Sequence, residues 1–148
     1  MKYGYILAGP GRPEVAEQRK VLGILGVDTN DEEAFRLDKI KRGAPRPRSQ
    51  LVGRNEILDK AQPGDAVVVS AAYCLGVSAN DAAWFLQELS NRTVRVVVGG
   101  DLALVEPGDD VTFLLQAVRT RQNVTHARAS EARRQKAVRN PDKCSDAK

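Results

Sequence analysis

Apolar positions along this chain of 148 residues follow two periods, one suited to strands and one to helices. Residues 2–8, KYGYILA, alternate weakly and are rich in strand formers, which predicts a first strand. Gly9, Pro10, Gly11 and Pro13 break it. Val15, Ala16, Val21, Leu22 and Leu25 then form a helical stripe, with Pro13 suited to its first turn and Gly23 and Gly26 marking its end. Residues 33–38 predict a short second strand, and Leu51 to Ala61 a short helix stopped by Pro63-Gly64. The continuous apolar run 65–72, DAVVVSAA, predicts a strand covered on both faces. Ala82, Ala83, Trp84, Phe85, Leu86 and Leu89 place a helix over 79–91, and TVRVVV at 93–98 predicts a further strand ended by Gly99-Gly100. Strands alternating with helices at this spacing specify an α/β domain with a mainly parallel sheet and flanking helices.

The pattern changes at Pro107. Asp109 or Asp110 is suited to cap a helix whose apolar stripe is Val111, Leu114, Leu115 and Val118. After Val124 the stripe fades to Ala127, Ala129, Ala132 and Ala137 among Arg128, Arg133, Arg134 and Lys136. A helix over 109–138 would be ~45 Å long, more than so small a domain can cover. Its apolar first half is therefore expected to meet another copy, giving a homodimer or tetramer with Val111, Leu114, Leu115 and Val118 at the interface. The expected organisation is an α/β domain over 1–106, a long dimerising and basic helix over 107–140, and a disordered tail over 141–148 after Pro141.

Composition narrows the classes. An apolar fraction of 42% supports a real core, and no apolar run approaches the ~20 residues of a membrane span. The opening MKYGYILAG lacks the pattern of a signal peptide. Cys74 and Cys144 are too few for a disulfide framework or a zinc cage, and His126 is the single histidine. These features point to a reducing cytoplasm, with no metal, cofactor or membrane expected.

The net charge of +4 is unevenly spread. Residues 1–118 hold 14 basic and 16 acidic residues, a net of −2, whereas 119–148 hold 9 basic and 3 acidic, a net of +6. Residues 36–54 carry Arg36, Lys39, Lys41, Arg42, Arg46, Arg48 and Arg54 against one acid, Asp38, with Gly43, Pro45 and Pro47 among them. This reads as a basic, mobile loop. A near-neutral body with two basic segments favours a polyanionic partner, duplex DNA before membrane, over charged faces that are merely solvated.

Other candidates carry less. The G-P-G-R turn at 9–12 follows a strand and precedes a helix, but it lacks both the G-x-G-x-x-G fingerprint and a G-K-[ST] ending. Cys74 has no cation close in sequence to activate a thiolate, so a small core residue is the simpler reading. Ser70 and Ser78 have no visible base, and His126 reads as a solvated helix residue. Trp84 and Phe85 read as core.

In this order the elements resemble the catalytic domain of serine recombinases of the resolvase/invertase type. GYILAG is similar to that family's first strand and Gln18 to Leu22 to its Q-x-x-x-L helix. Arg48-Ser49-Gln50-Leu51 resembles its mobile R-x-x-L segment. GDAVVVSAAYCLGVSANDAAWFLQEL resembles its strand, L-G turn and helix, and Asp109 to Lys136 its long dimerisation helix. The resemblance runs through nearly the whole chain at low identity. It implies a resolvase-like, three-layer fold and DNA lying along the basic half of the last helix.

The departures fall on the chemistry. The family's Y-x-R-V-S places an arginine where this chain has Leu7 and the nucleophilic serine where it has Gly9. Its Asp-Arg-Leu-Gly-Arg turn is Tyr73-Cys74-Leu75-Gly76-Val77 here. Attack on a phosphodiester needs a hydroxyl and cations aimed at the developing charge, and losing one such contact costs ~10²–10³-fold. Only Arg48 and Gln18 stand at positions matching family active-site residues. The sequence also ends after one basic helix, so base reading through a helix-turn-helix domain is not expected.

The expectation is a catalytically inactive, DNA-binding protein that regulates, shapes DNA, or forms mixed dimers with an active recombinase. Its expected phosphate contacts are Arg46, Arg48, Arg54, Arg119, Arg121, Arg128, Arg133, Arg134, Lys136 and Arg139. Two alternatives stand beside it. One is an oligomeric scaffold whose basic helix meets an acidic protein. The other is an active recombinase with relocated catalytic residues.

Overall fold

Alternation in the first segment becomes β1 (Lys2–Ala8), an interior strand of the sheet. Ile6 faces one layer and Tyr5 and Leu7 the other, all three with no exposed surface. The computed structural model describes residues 1–40, 50–100 and 103–139, with side chains through residue 135 in the last helix. β1 is followed by α1 (Val15–Ile24), β2 (Phe35–Lys39), α2 (Val52–Lys60), β3 (Ala66–Val69), a 3₁₀ turn (Ala72–Cys74), α3 (Ala79–Asn91), β4 (Arg95–Val98), β5 (Ala103–Val105) and α4 (Thr112–Arg139). The sheet runs β2-β1-β3-β4-β5. All pairs are parallel except β4–β5.

Three layers result. Ile6, Leu22, Val27 and Val68 form a small core between the sheet and α1. On the opposite face Tyr5, Leu7, Val67 and Val69 pack against Ile57, Phe85, Leu86, Leu89, Leu114 and Val118, from α2, α3 and α4. The fully buried run Ala66–Val69 explains why β3 reads as continuously apolar: both of its faces are covered.

The expected α/β architecture with a parallel sheet and a long last helix is therefore present. β5 falls outside the elements that the hydrophobic pattern predicts. It is three residues long and lies on the antiparallel edge, too short for periodicity to show. The stretch 36–54, read as one loop, is ordered at both ends. Arg36 and Lys39 lie in β2, and Arg54 lies in α2. The central part of that loop, with Lys41, Arg42, Arg46 and Arg48, lies outside the described residues, as does the tail 141–148.

The expected use of the α4 stripe is corrected by packing. Leu114 and Val118 are completely buried within their own protomer, and Val111 and Leu115 pack against the same core. Leu114 and Val118 are therefore closed to a second copy, because α4 runs back across α3 and the 3₁₀ turn, while Val111 and Leu115 stay partly exposed. Apolar exposure on α4 falls instead on Phe113, 53% exposed, and Val124, 36% exposed. Asp110 caps the helix, its Oδ1 accepting from the Thr112 backbone N–H at 2.9 Å and the Thr112 hydroxyl at 2.6 Å. Those two bonds hold the Asp110 carboxyl below its ordinary value.

Candidate nucleic-acid interface at the carboxyl edge

In a sheet of this order, the loops after β1 and β3 diverge at the carboxyl edge and leave a crevice where α/β proteins commonly bind ligands. Here the chain closes it. Arg12, from the loop after β1, lays its guanidinium 3.9 Å from the centre of the Tyr73 ring. Its Nε donates to the Tyr73 carbonyl at 3.1 Å, Nη1 to Pro10 at 3.0 Å and Nη2 to Gly76 at 2.7 Å. Burial makes this cation harder to hold and lowers its pKa, while nearby Tyr73 and Cys74 oppose the shift.

Gln18 stands just beneath. β3 ends at Val69, so the β1 edge beyond Tyr5 has no strand partner on that side. The Gln18 carboxamide substitutes for one: Leu7 N–H donates to Oε1 at 3.3 Å, and Nε2 donates to the Leu7 carbonyl at 3.0 Å and to Pro13 at 2.8 Å. Gln18 is fully buried and spends its amide on the backbone. Gln18→Leu should cost about 1–3 kcal/mol, because it strands the N–H and C=O of Leu7. Urea denaturation measures this, and an unchanged midpoint would contradict the assignment.

Arg54 is the clearest correction among the expected phosphate contacts. Its side chain is 0% exposed, and it pairs bidentately with Asp81, Nη1 to Oδ2 at 2.7 Å and Nη2 to Oδ1 at 2.9 Å. Nη1 also donates to the Leu75 carbonyl at 3.1 Å, and the guanidinium stacks between Trp84 and Phe85. Arg54 therefore holds α2 to α3 and cannot reach a phosphate. Arg36 is also engaged, its Nε donating to Glu56 Oε2 at 2.6 Å.

The sequence candidates for chemistry resolve into structure. Ser78 caps α3 by accepting from the Asp81 N–H at 3.2 Å. Ser70 is buried 3.5 Å from the Cys74 sulfur. Burial pushes the Cys74 thiol up, a direction opposite to that of a reactive thiolate. Tyr5 is pushed far above its ordinary value by burial and by Asp38, whose Oδ2 accepts its hydroxyl at 2.8 Å. That same carboxylate receives the Gly53 and Arg54 N–H groups at the start of α2. Both raised groups favour their protonated forms in the folded chain. Their contribution is complete below the unfolded thiol and phenol values and is lost as pH rises through and above them. The urea midpoint should fall above about pH 9 in the native chain, and less steeply in Tyr5→Phe/Cys74→Ala.

The basic half of α4 passes this edge. Arg121 Nε donates to the Gly11 carbonyl at 3.1 Å, and the Ala79 N–H meets Gln122 Oε1 at 3.4 Å. Gly11 has φ +76°, and a Cβ there would clash with Thr125 Oγ1, so both its backbone and the approach of α4 require glycine. Beyond this contact residues 131–135 are exposed throughout. Arg119, Arg121, Arg128, Arg133 and Arg134 are all exposed. Among the described residues only Arg134 of these five has an ion-pair partner, Glu131 at 2.9 Å. The expected contacts Lys136 and Arg139 lie on the same helix, with side chains outside the described residues. Ile40, which precedes the undescribed basic segment, bonds to Ala8 at this same edge.

Among the described residues, no group of three or more His, Cys, Asp or Glu side chains is placed to hold a metal ion. No described helix is long and apolar enough to cross a membrane. No protein-family model and no curated protein matches the chain.

Proposed function

We propose that this chain binds duplex DNA through phosphate contacts, as a non-cleaving protein of resolvase-like build that regulates or shapes DNA. The observation that carries this reading is the second half of α4, a helix leaving the body with exposed arginines almost free of carboxylate partners. Cations near a helix C-terminus are also favoured by the helix dipole, so the charge stabilises the element that displays it. The non-cleaving part rests on the loop after β1, where G-P-G-R offers no hydroxyl and its one cation is committed to three carbonyls. Self-association, including mixed dimers with an active recombinase, belongs to the same proposal. With Leu114 and Val118 buried, it would use the exposed Phe113 and Val124.

Gel-shift assays on short duplexes at two salt concentrations test the reading. Binding at low salt, weaker at high salt and without a covalent adduct on nicked DNA, is expected. No binding at low salt sinks the DNA assignment, and a gel-stable adduct sinks the non-cleaving one.

A further inference from the structure

β5 ends the sheet with its outer edge open. The N–H of Arg95 bonds to Asp65 and that of Gly99 to Val69, so the odd residues of β4 turn their amides to β3. Val96 and Val98 turn theirs the other way, to Val105 and Ala103 of β5. Leu104, between those two, therefore directs its N–H and C=O away from the sheet, and no described residue bonds to either. Its side chain is 56% exposed. The open edge stops at Glu106, whose N–H and C=O are both taken by Asp109.

On the opposite face of this strand pair, Ala83, Leu86, Val94, Val96, Val105 and Val111 line a cleft of about 160 Å³. The Ser90 hydroxyl oxygen accepts the Gly108 N–H at 2.9 Å and fixes the loop wall. Glu106 and Asp109 also line the cleft, and Asp110 follows them. Among the described residues these three carboxylates share one ion pair, Glu106 with Arg95 at 3.5 Å. We infer that the β5 edge docks an extended segment of another protein, with a valine, isoleucine or leucine side chain in the cleft and cationic residues on either side.

Each part of that occupant follows from one observation. An outward N–H and C=O on the same residue are satisfied together by an extended backbone pairing antiparallel, which a helix, with its amides spent internally, cannot offer. In such a pair the residue across from Leu104 shares its face. The next residue, across from Val105, turns to the face that holds the cleft. The cleft is close to the ~150 Å³ that accepts a benzene ring in an apolar cavity, so one branched aliphatic side chain fits. The residue across from Glu106 is placed for a cross-strand ion pair. Residues 41–49, 101–102 and 140–148 of this chain hold no valine or isoleucine, and their one leucine follows an aspartate, so the segment comes from a different protein.

The probe is the capped peptide acetyl-Lys-Val-Thr-Val-Lys-amide, titrated into the full chain and followed by ¹⁵N NMR. The Leu104 amide should shift saturably. Methylating the central threonine nitrogen should weaken binding ~5–10-fold, by removing the bond to the Leu104 carbonyl. Glutamate in place of both lysines should weaken it ~5-fold. Ala83→Leu should weaken it ~10-fold by filling the cleft from α3, with the urea midpoint kept because leucine is a strong helix former. No shift at Leu104, or equal binding of the methylated peptide, would overturn the docking edge. Equal binding of the lysine and glutamate peptides, or of the peptide to Ala83→Leu, would overturn the occupant assigned to it. A Leu104 shift that grows with protein concentration in the absence of peptide would give the edge to a second copy instead.

Discussion

Asp81→Ala is expected to destabilise the fold by about 3–5 kcal/mol, the usual cost of leaving a buried charge without its partner. Arg54 is completely buried between Trp84 and Phe85, and Asp81 is its carboxylate. Asp81 also accepts the Val77 N–H at 2.9 Å, so its loss loosens the turn before α3 as well as the α2–α3 junction. Replacing both charges with apolar groups, Arg54→Met/Asp81→Leu, should recover much of the loss, because it removes the unpaired ion as well as the bond. Urea denaturation of the two single variants and the double gives the coupling. A small loss in Asp81→Ala would mean that Arg54 reaches water, contrary to its burial. Gly76→Ala is a geometric check on the same junction. A Cβ there would stand 2.6 Å from Asp81 Oδ2 and 2.7 Å from the Ala82 nitrogen, so it should perturb the pair without removing either charge.

The same pair shows what could and could not be read along the chain. The strands β1, β3 and β4 and helices α1 to α4 were legible because each keeps its period over several residues. Arg54 ends the basic stretch 36–54 and also falls within the helix expected over Leu51 to Ala61, where it lies in register with Ile57, Leu58 and Ala61, spaced i, i+3, i+4 and i+7. Asp81 likewise falls in register with Phe85. A charge on the apolar stripe of one helix and an opposite charge on that of another is the signal of a buried pair. Composition counts erase it by pooling Arg54 with its exposed neighbours.

Gln18 carried a comparable signal, in register with Leu22 and Leu25, but its bonds to Leu7 depend on where β3 stops. That is a tertiary fact. The stripe Val111, Leu114, Leu115 and Val118 is legible as apolar, but two of its four members, Leu114 and Val118, are buried by their own chain and not by a second copy. Periodicity identifies which face is buried and says nothing about whether the same chain or a second copy buries it. Arg12 gave no signal at all, since its three carbonyl acceptors lie at sequence positions 10, 73 and 76.

Binding of duplex DNA should weaken by about 10²-fold between 50 and 200 mM salt if α4 neutralises about four phosphates, each adding ~0.9 to the slope. The number follows from geometry. A straight helix shows one side at a time to a duplex, and Arg119 points away from the side that carries Arg121 and Arg128. Not all seven basic residues from Arg119 to Arg139 can then contact phosphate together. Arg121→Gln/Arg128→Gln should reduce the slope by about 1.8, and by a similar amount on unrelated duplexes, since phosphate contacts carry no base information. Titrations at four or more salt concentrations resolve a change of that size. An acidic protein surface in place of DNA would also give salt dependence, but it lacks the evenly spaced phosphates and condensed counterions that make the logarithmic plot linear. A straight line whose slope drops by two contacts in the double variant therefore discriminates between the partners, and a slope unchanged by the loss of both arginines would place the DNA elsewhere on the chain.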